Sequence, residues 1–246
     1  MKKTCWLILA LTLSTSLLAQ AQTNAPAAPA QPLSQATLDK IAAMTPIFDG
    51  KTLDGWVDQE NKGSAPGWIV TNGVLASTGA GRGTLYTKAS YGNYRVTFLM
   101  RHLAGGHQAC VLIYCRPPQN GGKALDALGG IQFQVPNGGH WDYRPTENGV
   151  KHNTGGGKEF TTVNKGNFKV DEWSQVEILV NTNGTARMAV AQPPGTKAKE
   201  ILDFKDPTAG RVGAFALQMH QNKLDDEYKD IRIEENPTDD SLITTK

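Results

Sequence analysis

Four polar side chains recur at every second position inside apolar runs. In Gly130-Ile131-Gln132-Phe133-Gln134-Val135, the amides of Gln132 and Gln134 alternate with three apolar residues; in Phe215-Ala216-Leu217-Gln218-Met219-His220, Gln218 and His220 alternate with Phe215, Leu217 and Met219. Successive side chains of an extended strand face opposite sides, so each run buries its apolar set and presents amides or an imidazole on the other face. An amide donates and accepts at once, which suits neighbouring hydroxyl groups, and an imidazole moves a proton near neutrality. Together with a flat ring such as Trp141, this face fits an extended, hydroxyl-rich ligand of the sugar type. The competing explanation is an ordinary solvated strand face, common for Gln and His.

Other chemistry-bearing residues are less specific. His107, His140, His152 and His220 raise the question of a metal, but no H-x-H or H-x-x-x-H spacing occurs. No bound metal is therefore expected, a Ca²⁺, Zn²⁺ or Mn²⁺ ion polarising a carbonyl being the alternative. Cys110 and Cys115 are five apart, which on one regular strand puts them on opposite faces and beyond disulfide reach, so both read as buried small apolar residues. The loop Asn153 to Lys158, NTGGGK, lacks the spacing of a phosphate loop and reads as the edge of a groove.

The elements that must position these residues are short strands. Tyr94 to Met100 alternates, and Gln175 to Val190 alternates on either side of Asn183-Gly184, which predicts a hairpin closed by a type I′ turn. Glycine is 26 of 246 residues, half as much again as the usual ~7%, as many tight turns require. About a dozen strands without an internal repeat predict an all-β jelly-roll sandwich of two antiparallel sheets, one of them curved into a groove. Lys+Arg 25 against Asp+Glu 23, with no basic run, argues against a nucleic-acid partner.

The first 21 residues have a basic start at Lys2 and Lys3, an apolar run from Trp6 to Leu18 and a small-x-small end at Ala19-Gln20-Ala21. This predicts a secretory signal cleaved near Ala21, hence a periplasmic or secreted protein; the run is too short and too interrupted for a membrane span. Loss of Lys2 and Lys3 brings the formal charge of +2 to about zero. Residues 22–46 read as an Ala/Pro linker followed by a helix from a Ser34 cap to Met44, with Leu38, Ile41 and Ala42 on its apolar side. The domain is expected over 47–236, with a tail over 237–246.

Ile47-Phe48-Asp49-Gly50-Lys51-Thr52-Leu53-Asp54-Gly55-Trp56, then Trp68 and Asn72-Gly73-Val74-Leu75, resemble the opening of the 3-keto-disaccharide hydrolase family, also described as 3-keto-glucoside lyases and 3-keto-2-hydroxyglucal hydratases. Tyr91-Gly92-Asn93-Tyr94, Glu172-Trp173, Leu217-Gln218-Met219-His220 and Tyr228-Lys229-Asp230-Ile231-Arg232-Ile233 extend the resemblance, in order, over residues 47–235. The resemblance implies a concanavalin A-like jelly roll. Two departures stand out: Gln132 replaces the acid of a "G-x-E-x-Q" strand, and Val111 to Arg116 keeps only the arginine of an "S-G-x-x-x-R" strand.

The resemblance also implies a chemistry. A ketone at C3 of a glucoside acidifies the C2 proton; a base removes it, the C1 substituent leaves, and water adds to the resulting glucal. His220 is the candidate base, Arg116 the stabiliser of the enolate oxygen, and Tyr143 or Asp142 the proton donor. Gln132, Gln134, Gln218 and Trp141 would bind the glycoside or oligosaccharide. The loss of the acid at Gln132 keeps a second class open, a non-catalytic carbohydrate-binding domain. A third is a structural envelope protein held off a surface by the Ala/Pro linker.

Overall fold

The computed structural model describes residues 29–59, 66–116, 129–144 and 161–246. Residues 1–21, which the sequence reads as an export signal, most of the expected linker, His152 and residues 153–158 lie outside the described residues. Within the described residues the chain forms one α-helix, α1 (Gln35–Ala43), fifteen strands and a short 3₁₀ turn at Ile243–Thr245. The strands are β1 (Thr45–Pro46), β2 (Trp56–Gln59), β3 (Trp68–Thr71), β4 (Val74–Ser77), β5 (Gly83–Thr87), β6 (Tyr94–Ala104), β7 (Ala109–Arg116), β8 (Gly129–Val135), β9 (His140–Asp142), β10 (Thr161–Val163), β11 (Ser174–Asn181), β12 (Thr185–Ala191), β13 (Lys199–Lys205), β14 (Ala214–Met219) and β15 (Asp225–Glu235).

They build two antiparallel sheets. One runs β10-β13-β12-β11-β6-β15-β4-β3, with β1 added alongside β15; the other runs β2-β5-β14-β7-β8-β9. The apolar alternation of each strand fills the space between them. Val96, Phe98 and Met100 of β6 and Val176, Ile178 and Val180 of β11 meet Ile131 and Phe133 of β8 and Phe215, Leu217 and Met219 of β14, all buried. An aromatic chain ties the layers together: Phe98 lies 6.0 Å from both Phe215 and Tyr228, and Trp68 6.1 Å from Tyr228. This is the jelly-roll sandwich that strand parity predicts.

Local expectations fare unevenly. Ser34 caps α1, its hydroxyl accepting from the Thr37 amide at 3.2 Å. The helix, however, buries Thr37, with Leu38 exposed, and its C-cap Met44 is also buried. The β11–β12 hairpin is present, but its loop has three residues rather than two, since Asn181 pairs with Thr185. Gly184 takes φ +88° while Asn183 stays at negative φ, so the turn is not type I′. Asn183 instead accepts hydrogen bonds from both the amide and the hydroxyl of Thr185.

The segments placed outside the domain by sequence are packed against it. Leu33 and Met44 are buried, β1 pairs with β15, and Leu242, Ile243 and Thr244 are buried near the C-terminus. Together with α1 they cover the outer face of the nine-stranded sheet. The outer face of the six-stranded sheet carries the groove.

Candidate functional site

Strand register sets the floor of the groove. Cys110 of β7 pairs with Gln218 of β14 and with Gln134 of β8, and Gln218 pairs in turn with Thr84 of β5. The next row joins Tyr86, Ala216, Leu112, Gln132 and Trp141. Residues paired across a ladder point to the same side, so both rows face away from the core. Small Ala214 and Ala216 pack with Leu112 and Cys115, and Tyr86 and Tyr143 lie against this apolar strip.

The rim comes from strand ends. Gly83 pairs with Met219, so Arg82 and His220 are brought together where β5 begins and β14 ends. The loop entering β7 brings His107 against His220 from the other side, the two rings stacked with centroids 4.0 Å apart and planes 5° from parallel. His140 and Trp141 rise from the edge strand β9. The result is a cavity of about 560 Å³ lined by Arg82, His107, Gln132, Gln134, His140, Trp141, Tyr143 and His220. Trp141 is 41% exposed and offers an indole face to a ligand ring.

Electrostatics distinguish the histidines. Burial pushes the His140 pKa below its ordinary value, partly opposed by the charge of Asp142, so this imidazole is neutral at neutral pH. His107 Nδ1 lies 2.8 Å from the Gln108 carbonyl, which can only accept, so that nitrogen carries a proton. Gln132 donates from Nε2 to the sulfur of Cys110, whose thiol is pushed far up by burial and stays protonated. Gln218 is fully buried and neither of its amide atoms has a hydrogen-bond partner.

Of the residues singled out by sequence, His220, Gln132, Gln134, Trp141 and Tyr143 converge on this cavity. Gln218 belongs to the same face but lies below the lining. Arg116 does not reach it. A bulge in β7 inserts an extra residue between Leu112 and Cys115, with Tyr114 at φ +58°; Cys115 takes the outward position that a regular strand would give Tyr114, and the parity of Arg116 is reversed with it. Arg116 is exposed, its Nε 3.4 Å from the Val212 carbonyl. The same bulge puts Cys110 and Cys115 on one face, correcting the parity argument, although both are free and buried.

Asp142 is likewise displaced as a proton donor. It pairs with Ile131, on the opposite side of β9 from Trp141, and its carboxylate takes Arg144 Nε at 3.0 Å and Nη2 at 2.6 Å. Arg144, 1% exposed, also donates to Asp206 at 2.6 Å. Asp142 thus holds a buried guanidinium. Sequence reasoning passed over Arg82, and took His107 and His140 only as metal ligands. Among the described residues no group of three or more His, Cys, Asp or Glu is arranged to hold a metal ion.

The arrangement can hold hydroxyl groups on amides, stack a ring on indole, and offer imidazole, guanidinium and phenol to a reacting centre. Comparison with solved structures agrees with the fold. The VIP36 exoplasmic/lumenal domain in its Ca²⁺-bound form is 10% identical, covering 84% of this chain and 95% of that one with a TM-score of 0.51. The carbohydrate binding module CBM66 from Bacillus subtilis is 12% identical over 78% of this chain and 97% of its own, with a TM-score of 0.48. The GH43 BlXynB protein from Bacillus licheniformis is 14% identical over 76% of this chain and 38% of its own, with a TM-score of 0.47. No curated protein matches the chain in sequence. The 3-keto-alpha-glucoside-1,2-lyase-like domain matches residues 43–234, and the chain belongs to that family, on a concanavalin A-like jelly roll.

Proposed function

We propose that the protein cleaves 3-keto-glycosides by elimination followed by hydration. His220 takes the proton from C2, the electron pair moves into the enolate whose oxygen at C3 is met by Arg82, and collapse expels the C1 substituent. Tyr143 protonates that leaving oxygen. Water then adds across the C1–C2 double bond to give the free 3-keto sugar. Gln132 and Gln134 bind ring hydroxyls, and Trp141 stacks on the sugar. The observation that carries this reading is the convergence of imidazole, guanidinium and phenol on one groove in a member of this family.

Incubation of the purified protein with 3-keto-trehalose or a 3-keto-β-glucoside, followed by ultraviolet absorbance of the enone, tests it. His220→Ala is expected to lower kcat about 10²- to 10⁴-fold, the usual contribution of a general base. Unchanged turnover in that variant would remove His220 from the mechanism.

A specific observation favours a second reading, a sugar-binding domain without catalysis. Among the described residues no carboxylate lines the groove, and Gln132 stands where the resemblance expects an acid. Glycan-array binding without turnover of any 3-keto-glycoside would select it. In either case we place the protein in the periplasm or outside the cell, its first 21 residues acting as an export signal; the mass of the protein recovered from that compartment would then correspond to a chain starting at Gln22.

A further inference from the structure

We propose that Arg144 is a positioning residue, a clamp between the two sheets that holds the edge strand β9 so that Trp141 and Tyr143 stand as one wall of the groove. The clamp rests on geometry alone; its effect on turnover rests on the reading of Tyr143 as the proton donor to the leaving oxygen.

Three of the eight residues lining the cavity, His140, Trp141 and Tyr143, come from one short run of chain. The sheet holds that run weakly. β9 is three residues long, stands at the sheet edge and, among the described residues, pairs only with β8. One further ladder bond, from the Tyr143 amide to the Gly130 carbonyl at 2.9 Å, continues the pairing. A segment with so few backbone partners opens readily unless side chains tie it down.

Arg144 supplies the tie. Its guanidinium, 1% exposed, grips Asp142 with Nε 3.0 Å from Oδ1 and Nη2 2.6 Å from Oδ2, its planar fork matching the carboxylate. Asp142 Oδ1 also accepts from the Arg144 amide at 2.9 Å, which closes a turn around Tyr143. With Asp142 and Arg144 turned inward, Tyr143 between them faces the groove, on the same side as Trp141.

The other end of the clamp is fixed to the opposite sheet. Nη2 also donates to Asp206 at 2.6 Å, and Nη1 to the Thr208 hydroxyl at 3.0 Å. Asp206 directly follows β13 of the nine-stranded sheet, and its amide donates to the Gly184 carbonyl in the β11–β12 loop at 2.9 Å. The far oxygen of Asp206 accepts from the amide and hydroxyl of Thr208 at 2.9 and 2.6 Å. The groove wall is thus aligned from inside the sandwich. A lysine at 144 keeps the charge but lacks the fork that bridges two carboxylates.

The test is fluorine NMR of the purified protein labelled with fluorotryptophan, without substrate, the Trp141 signal being assigned from Trp141→Phe. The wild type is expected to give one narrow Trp141 resonance, which broadens or splits in Arg144→Lys and in Asp206→Asn. Trp56 and Trp68, both buried in the core, should keep their resonances and report that each variant is folded. Where Arg144→Lys loses them, Asp206→Asn, which cuts only the far anchor, decides alone. A Trp141 resonance unchanged in a folded variant would overturn the proposal.

Kinetics supply a readout that a merely structural role does not move. kcat/KM for 3-keto-trehalose, whose leaving oxygen needs a proton, should fall about 10²-fold in both variants, the usual cost of a misplaced group. For the 3-keto nitrophenyl glucoside, whose phenolate leaves unaided, the loss should be much smaller, and Tyr143→Phe should show the same contrast. If Tyr143→Phe shows it while the clamp variants lose rate equally on both substrates, the proposal fails. If Tyr143→Phe shows no contrast, or the wild type turns over neither substrate, the reading of Tyr143 fails and the fluorine spectra still decide the clamp.

Discussion

His102 and Asp226 form a buried ion pair that anchors the groove's histidine loop. His102 Nδ1 lies 2.6 Å from Asp226 Oδ1, and its Nε2 3.3 Å from the carbonyl of Gly105, where the loop carrying His107 begins. Both partners hold a proton more tightly than in water: His102 because Asp226 accepts from it, Asp226 because burial disfavours its charge. The pair shares one proton across the two sites. Since the folded His102 pKa is raised, its contribution to stability is complete below about 6.5 and is lost as pH rises through the folded value. His102→Gln should therefore destabilise the protein by about 3–5 kcal/mol near pH 6, because Asp226 is left without its cation. The difference in melting temperature from wild type should narrow between pH 6 and 9; a gap that widens over this range would contradict the shared-proton account. At this scale the sequence was legible wherever a side chain's direction followed from strict alternation, as for Gln132, Gln134 and His220. It was not legible for Arg82 and His107, which sit in loops and become neighbours of His220 only through the pairing of β5, β14 and β7.

The elements explain the remaining misplacements. The resemblance implied Arg116 in the groove and alternation put the two cysteines on opposite faces, and one extra residue in β7 reverses both. The bulge is sustained by its neighbours: Arg211 donates to the carbonyls of Tyr114 and Gly129, and Tyr114 donates its hydroxyl to the Asn181 carbonyl at 2.5 Å. Nothing in the local run Ala109 to Arg116 announces the bulge, because what stabilises it is distant in sequence. Gly130 of β8 lies directly against it. A Cβ there would stand 2.6 Å from the Ile113 carbonyl oxygen and 3.0 Å from the Cys115 sulfur. Gly130→Ala is expected to cost about 1–3 kcal/mol, the usual range for overpacking, and to raise KM as well, since Gln132 and Gln134 follow on the same strand. Denaturant melts together with the KM for a 3-keto-glucoside check this; a stable variant with unchanged KM would show that β8 can shift without disturbing the floor.

Across the whole molecule the two sheets divide the work. The six-stranded sheet bears the groove on its outer face, and the nine-stranded sheet is backed by the chain ends. Arg95 of β6 and Glu177 of β11 are both fully buried and lie 2.8 Å apart on that backed face. The last ten residues complete this pair: Glu177 accepts from the amides of Ile243 and Thr244 at 2.9 and 2.8 Å, and Arg95 donates to the Ser241 carbonyl at 2.8 Å. Residues 237–246 read as a tail in sequence because they are short and polar; their structural value lies in partners some 60 to 150 positions away. Removing them should expose Leu179 and Ala189, which pack against Leu242, and leave a buried ion pair short of its hydrogen bonds. Each hydrogen bond to a charged group contributes about 1.5–3 kcal/mol, so the truncation is expected to cost at least about 3 kcal/mol. At about 2–4 °C per kcal/mol for a chain of this size, that corresponds to a fall of roughly 6–12 °C in melting temperature. The groove lies across the core from the deleted segment, so kcat/KM at 25 °C should be unchanged. Loss of activity in a truncated protein that is still folded at that temperature would show instead that the backing of the nine-stranded sheet governs the shape of the groove through the packed core.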